Sequence, residues 1–161
     1  MIRKTLSSMG FVLLSLIPVH GSCGGFGITC SVSAPGINFG TYNTVNTINL
    51  PASDLTVSCT GLFGTVAPTV QLSSGSGTYA NRIMNGPTGN SLSYNLYTNS
   101  SYTTVFGDGT QGTGDYVGAS QPIFFSQVNY NVPIYAQLPG GQNVAPGSYA
   151  TTQPITVTVT Y

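Results

Sequence analysis

The last seven residues most constrain what this chain can fold into. Ile155, Val157, Val159 and Tyr161 alternate with Thr156, Thr158 and Thr160. A period of two puts the apolar set on one face of a β-strand, and a helix would scatter it. The same period recurs upstream. Leu92, Tyr94 and Leu96 alternate with Ser93, Asn95 and Tyr97, and Val128, Tyr130, Val132, Ile134 and Ala136 share one face of a longer run. Pro133 inside that run places it at a sheet edge or a bulge, because proline cannot donate to a ladder. After residue 22 no stretch shows the helical spacing without Gly, Pro or Asn interrupting it. Gly75-Ser-Gly77, Asn85-Gly-Pro87, Gly107-Asp-Gly109 and Pro139-Gly-Gly141 punctuate the runs as turns. Gly107 to Gly118 reads as one long loop. Short strands at this spacing predict an all-β sandwich or barrel. The 161 residues amount to one domain, with no internal repeat or shift in composition.

The N-terminus is organised differently. Arg3 and Lys4 precede an apolar run from Phe11 to Val19, and His20-Gly-Ser22 follows. This is the layout of a secretory signal, too short for a membrane span of about 20 residues. Residues 1–21 are therefore read as a signal peptide and 22–161 as the mature domain, with a cut after Gly24 as the alternative boundary. No membrane anchor is expected, and the mature chain is exported. Of the three Lys and Arg residues only Arg82 lies beyond the signal, and the three acids are Asp54, Asp108 and Asp115. The one His is His20. A single base cannot supply the several phosphate contacts that nucleic-acid binding needs, nor a polybasic membrane patch.

The cysteines are Cys23, Cys30 and Cys59. Strand parity puts Cys30 on one face with Ile28 and Val32, and Cys59 with Leu55 and Val57. Two inward cysteines in an oxidising compartment suggest a disulfide, with a pair of buried thiols as the alternative. A bridge closing such a loop stabilises by about 3–4 kcal/mol in the chain-entropy model. Cys23 is removed with the signal or stands near the new N-terminus; a lipoprotein cut there would need Leu where His20 stands.

The same inventory argues against catalysis. A Ser–His–Asp arrangement lacks its base, and a cysteine nucleophile lacks the His or Lys that would favour its thiolate. Zinc needs more Cys or His ligands. Asp108 and Asp115 form a carboxylate pair in Phe106-Gly-Asp-Gly-Thr-Gln-Gly-Thr-Gly-Asp115. The setting is that of a turn, although calcium ligation or acid–base work by two carboxylates is the sharper alternative. The spaced glycines precede no Lys, so they make no phosphate loop. Arg82 is expected to pair with an Asp or to cap carbonyls. No cofactor and no enzyme activity are predicted. The ten tyrosines are core and surface filling, or a carbohydrate-binding face.

Several strings occur in an order that resembles the spore coat protein U domain, found in archaic chaperone–usher pilins. They are Cys30-Ser-Val, Ile37-Asn-Phe-Gly-Thr-Tyr42, Leu55-Thr-Val-Ser-Cys59-Thr, Arg82-Ile-Met84, Leu92-Ser-Tyr-Asn-Leu-Tyr97, Phe106-Gly-Asp-Gly109, Pro133-Ile-Tyr135, Pro146-Gly-Ser-Tyr149 and Thr156-Val-Thr-Val-Thr-Tyr161. Phe106 stands where the family often has Trp, Tyr135-Ala136 replaces a usual Tyr-Gly, and Ala150–Pro154 lengthens the last connection. The resemblance implies an immunoglobulin-like, pilin-type β-sandwich that lacks its final strand. Such a subunit borrows a strand from a periplasmic chaperone, passes an outer-membrane usher, and is completed by a neighbouring pilin subunit through β-strand addition.

The residues support that expectation independently. The last strand has no strand after it and no charge on its flanks, the usual protection of an exposed edge. Ile155, Val157, Val159 and Tyr161 are therefore the candidate groove residues. A donor strand needs about ten alternating residues ahead of Cys30. After a cut at Gly21 only Ser22 to Thr29 remain, with Phe26 and Ile28 the bulky apolar side chains. Such a subunit accepts a strand well and donates one poorly, which suits a terminal or tip position. The functional expectation is a structural subunit of a surface fibre supporting adhesion or biofilm formation. The alternatives are an adhesin-like module that binds sugar or a surface through Tyr and Asn, and a self-contained coat protein.

Overall fold

The computed structural model describes residues 11–12, 14–18 and 25–161, the first two segments through their backbone alone. Arg3, Lys4, His20, Cys23 and the cut positions at Gly21 and Gly24 lie outside the described residues. The strands are β1 (Phe11–Val12), β2 (Leu14–Pro18), β3 (Thr29–Ser33), β4 (Ile37–Asn38), β5 (Ile48–Val66), β6 (Thr69–Leu72), β7 (Arg82–Asn85), β8 (Ser91–Tyr97), β9 (Tyr116–Val117), β10 (Gln121–Leu138) and β11 (Ile155–Thr160). The described residues hold no α-helix, only a 3₁₀ turn at Pro87–Gly89. One sheet runs β3-β5-β10-β8-β7, the facing one β2-β11-β6-β9, and β1 pairs with β4. The fold is an all-β, immunoglobulin-like sandwich.

The alternation read from the sequence becomes the core. Leu55, Val57 and Cys59 of β5, Tyr130, Val132, Ile134 and Ala136 of β10, and Ile155, Val157 and Val159 of β11 are all buried. Each such aliphatic side chain contributes about 1.5–3 kcal/mol relative to exposure. The two long strands β5 and β10 pair antiparallel along nearly their full length. Pro133 sits where β10 pairs only with β5, since β8 joins it from Tyr135 onward. A register shift follows between Ile134 and Ala136. Edge and bulge thus both occur within two residues of the proline.

The stretch 107–118 departs from the single loop expected. Tyr116 and Val117 pair with Val70 and Thr69 as β9. β6 would otherwise expose its second edge, and Tyr116 packs against the core from that position. Two residues are too few to leave a periodic signal.

Candidate strand-acceptor site

β11 lies between two neighbours of different origin. On one side it pairs antiparallel with β6, Val157 opposite Leu72 and Val159 opposite Val70. Beyond the ladder, Ser73 N–H donates to the Thr156 carbonyl (2.9 Å) and Thr156 N–H to Ser73 Oγ (2.8 Å). On the other side it pairs in parallel with β2, from Ile155 opposite Leu14 to Val159 opposite Pro18. Phe11 and Val12 meanwhile pair with Asn38 and Ile37 of β4. The backbone of 11–12 and of 14–18 therefore lies along the seam between β4 and β11 and closes the sandwich there. The sequence predicts an open edge at β11; in the structure that edge is paired, and by residues of the apolar N-terminal run.

The inward face of β11 is built by parity. Ile155, Val157 and Val159 point into the core with exposures of at most 2%, Thr156 and Thr158 are half-buried, and Tyr161 is partly buried against the core. The β2 side receives five residues, about 16 Å of extended chain. Main-chain bonds fix such a segment and the apolar floor selects its side chains.

Cys30 and Cys59 are direct cross-strand partners on β3 and β5 and form a disulfide. It ties β3 to the longest strand of its sheet.

Arg82, on β7, is fully buried. Its Nη1 donates to Asn95 Oδ1 (2.6 Å), and Nη2 donates to the carbonyls of Ser73 (2.9 Å) and Phe106 (2.7 Å). The carbonyl-capping expectation is met, with Asn95 in place of an Asp. The guanidinium bonds one sheet to the residue after β6 in the other, and the Tyr79 ring lies 5.4 Å away. Burial without a carboxylate partner pushes its pKa down to about 10. Tyr94, buried nearby, is pushed up to about 12 by desolvation. Arg82 Nε and Tyr94 Oη make no hydrogen bond among the described residues.

The Asp108–Asp115 loop has the geometry of a turn. Asp108 Oδ1 accepts from Thr110 N–H (2.9 Å) and Thr110 Oγ1 (2.6 Å), which lowers the carboxyl's pKa. A carboxylate held ionised in this way is a poor general acid. Among the described residues no three His, Cys, Asp or Glu side chains gather as metal ligands. Tyr102 packs edge-to-face against Tyr97 and against Tyr135 (5.6 and 6.3 Å between centroids).

The spore coat protein U domain model matches residues 26–160. The chain belongs to this family. The strings that carried the resemblance fill its interior: Ile37, Phe39, Tyr42, Leu55, Arg82, Met84, Tyr94, Phe106 and Tyr149 are all buried. Family members are exported, structural pilin-like proteins associated with chaperone–usher fibres. No curated protein sequence matches the chain. The sequence reading missed the exposed phenylalanines at one end of β5 and β10; Phe124-Phe125 after Ile123 breaks the alternation and was the available signal.

Proposed function

We propose that this spore coat protein U domain is an exported structural subunit of a chaperone–usher fibre, completed beside β11 by a strand from another chain. The observation that carries the reading is the second neighbour of β11. That neighbour, Leu14–Pro18, belongs to the run with the layout of a signal peptide. Cleavage after Gly21 takes it away. The backbone of β11 then lacks a ladder on one side, and Ile155, Val157 and Val159 lose the cover at the seam. A periplasmic chaperone supplies a strand first, the usher receives the complex, and a neighbouring subunit takes the chaperone's place.

Support for a terminal position comes from the other end of the mature chain. Phe26 N–H donates to the Phe63 carbonyl (2.9 Å), and Leu62 N–H to the Phe26 carbonyl (3.2 Å). Phe26 is thereby held by the chain's own sandwich. Only Ser22, Cys23, Gly24 and Gly25 precede it after a cut at Gly21, too short a piece to complete a neighbour. The subunit accepts and does not donate.

The test is to produce residues 22–161 in an oxidising compartment with and without an alternating apolar peptide. Without it the chain aggregates or is degraded. With it, or with a cognate chaperone, the chain is a soluble and heat-resistant monomer. Val157→Asp abolishes the rescue by placing a charge on a buried face. A soluble, cooperatively folding monomer with no added strand would refute the reading and favour a self-contained coat protein.

A further inference from the structure

Four of the seven phenylalanines gather at one end of the β5–β10 ribbon. Phe26, Phe63, Phe124 and Phe125 are 61, 55, 74 and 71% exposed. Phe26 stacks on Phe63 (5.8 Å), Phe124 is the register partner of Phe63, and Phe125 meets Phe124 edge-on (5.1 Å). Phe125 holds a φ of +46°, the left-handed region that a bulky residue rarely enters. The alternation switches there: Val128 and Tyr130 turn inward at even positions, Ile123 at an odd one, and two rings in succession are left outside. Strained residues of this kind cluster at binding and switch regions. Beside the rings lies an open cleft of about 420 Å³, whose lining includes Gly27, Gly61, Leu62, Phe125 and Ser126.

We infer that this aromatic end is a self-association surface, by which a second copy of the chain docks end to end about a two-fold axis. Three observations favour a second copy over other occupants. First, protruding rings and an open hollow share one surface, as a contact made by the same patch on both partners requires. The hollow is shallow and open to solvent, so a ring carried by another surface can rest in it without entering a closed pocket. Second, residues 25–28, 60–66 and 121–127 carry no charge, so two copies meet without like-charge repulsion. Third, the area suffices. At their exposures the four rings offer about 500 Å² per copy, on the order of 1,000 Å² for the pair, the lower bound for a specific interface. A flat apolar surface would touch the rings and leave the cleft unfilled. The contact lies on residues other than the β11 edge and does not depend on the fibre reading.

The experiment is sedimentation of the full 161-residue chain, refolded under oxidising conditions, over roughly 1–200 µM, a range that brackets micromolar association. The native chain shifts from monomer to dimer with concentration. Phe124→Ser/Phe125→Ser, with an unchanged circular dichroism spectrum, weakens association at least about tenfold, as for loss of central aromatic anchors. Ser126→Asp, which keeps every ring, weakens it in a salt-dependent way by bringing like charges together. A native chain that stays monomeric throughout overturns the proposal. Retention of that monomer on alkyl-coated beads would reassign the face to an apolar surface. A dimer that survives both variants but dissociates with excess apolar strand peptide also overturns it; association would then be strand exchange at β11, and the fibre reading would stand.

Discussion

Replacing Arg82 by Met keeps much of the side-chain length and removes every donor. Two opposing quantities decide the outcome. The guanidinium makes three charge-assisted bonds, to Asn95 Oδ1 and the carbonyls of Ser73 and Phe106. Each bond of this class contributes about 1.5–3 kcal/mol. Against them stands the cost of burying a cation with no carboxylate beside it. The drop in pKa from 12.5 to about 10 is what remains of that cost after neighbouring tyrosines offset part of it, so it sets a floor of about 3 kcal/mol. The bonds win, and Arg82→Met is expected to destabilise by about 3 kcal/mol. Asn95 Oδ1 keeps the Leu96 N–H (2.9 Å), so the orphaned acceptors are the two carbonyls. Arg82→Lys is expected to fall in between, since one ammonium cannot reproduce the fork. The assay is urea unfolding of the full chain, read by tyrosine fluorescence and far-ultraviolet dichroism. Thermal midpoints are expected to fall by about 6–12 °C for a chain of this size. If Arg82→Met matches or exceeds the native stability, the desolvation cost exceeds the bonds, and the cross-sheet tie contributes nothing net.

Three further outcomes follow from the same geometry. Cys30→Ser/Cys59→Ser removes a bridge between residues 29 apart and should lower stability by about 3–4 kcal/mol; mass spectrometry of unreduced peptides should recover Cys30 and Cys59 linked, and free alkylation of both would contradict the assignment. Stability should fall as pH rises through the window from 10 to about 12: Tyr94 is neutral there when folded and ionised when unfolded, and Tyr79, Tyr97, Tyr130 and Tyr149 are raised in the same direction. Arg82 acts oppositely, because the unfolded chain holds its proton longer, so a urea midpoint that stays flat or rises from pH 9 to 11.5 would mean the tyrosine contribution does not dominate. Asp108→Asn/Asp115→Asn keeps the acceptor for Thr110 and should leave the unfolding midpoint and fibre assembly as in the native chain, whereas loss of a catalytic turnover in that double variant would overturn the non-enzymatic reading.

What could be read from the sequence was what one strand decides by itself. Parity put Leu55, Val57 and Cys59, and Val128 through Ala136, on inward faces; the structure keeps them there, and the one register shift, between Ile134 and Ala136, leaves both of those residues buried. Cys30 and Cys59 needed only parity and compartment. Arg82 could be assigned to carbonyls or an Asp, but its acceptors come from three separate elements, and no local pattern reports that. β9 was illegible because two residues have no period. The aromatic end was illegible for another reason: a single left-handed residue, Phe125, reverses the alternation, so a reading by parity mistakes two exposed rings for a strand that buries one of them.

The edge of β11 shows where sequence logic and coordinates must be joined. Sheets in secreted proteins usually protect an edge with Lys, Pro or a bulge. β11 carries none of these: threonines alternate with aliphatics, and the four described charged residues all lie elsewhere. A strand so written is suited to a ladder on both sides. In the described chain β6 gives one ladder and Leu14–Pro18 gives the other. One apolar sequence stands in two roles, since the run that fills the seam also has the length and flanks of an export signal. Export and self-completion by that run exclude each other once the signal is cut. The reading that satisfies both leaves the acceptor as a property of the mature domain and the occupant as exchangeable. Nothing in Ile155, Val157 or Val159 specifies which chain supplies the strand; the floor demands only an extended, uncharged, alternating segment. That indifference is what a subunit needs if its groove is to be filled first by a chaperone and then by a neighbour.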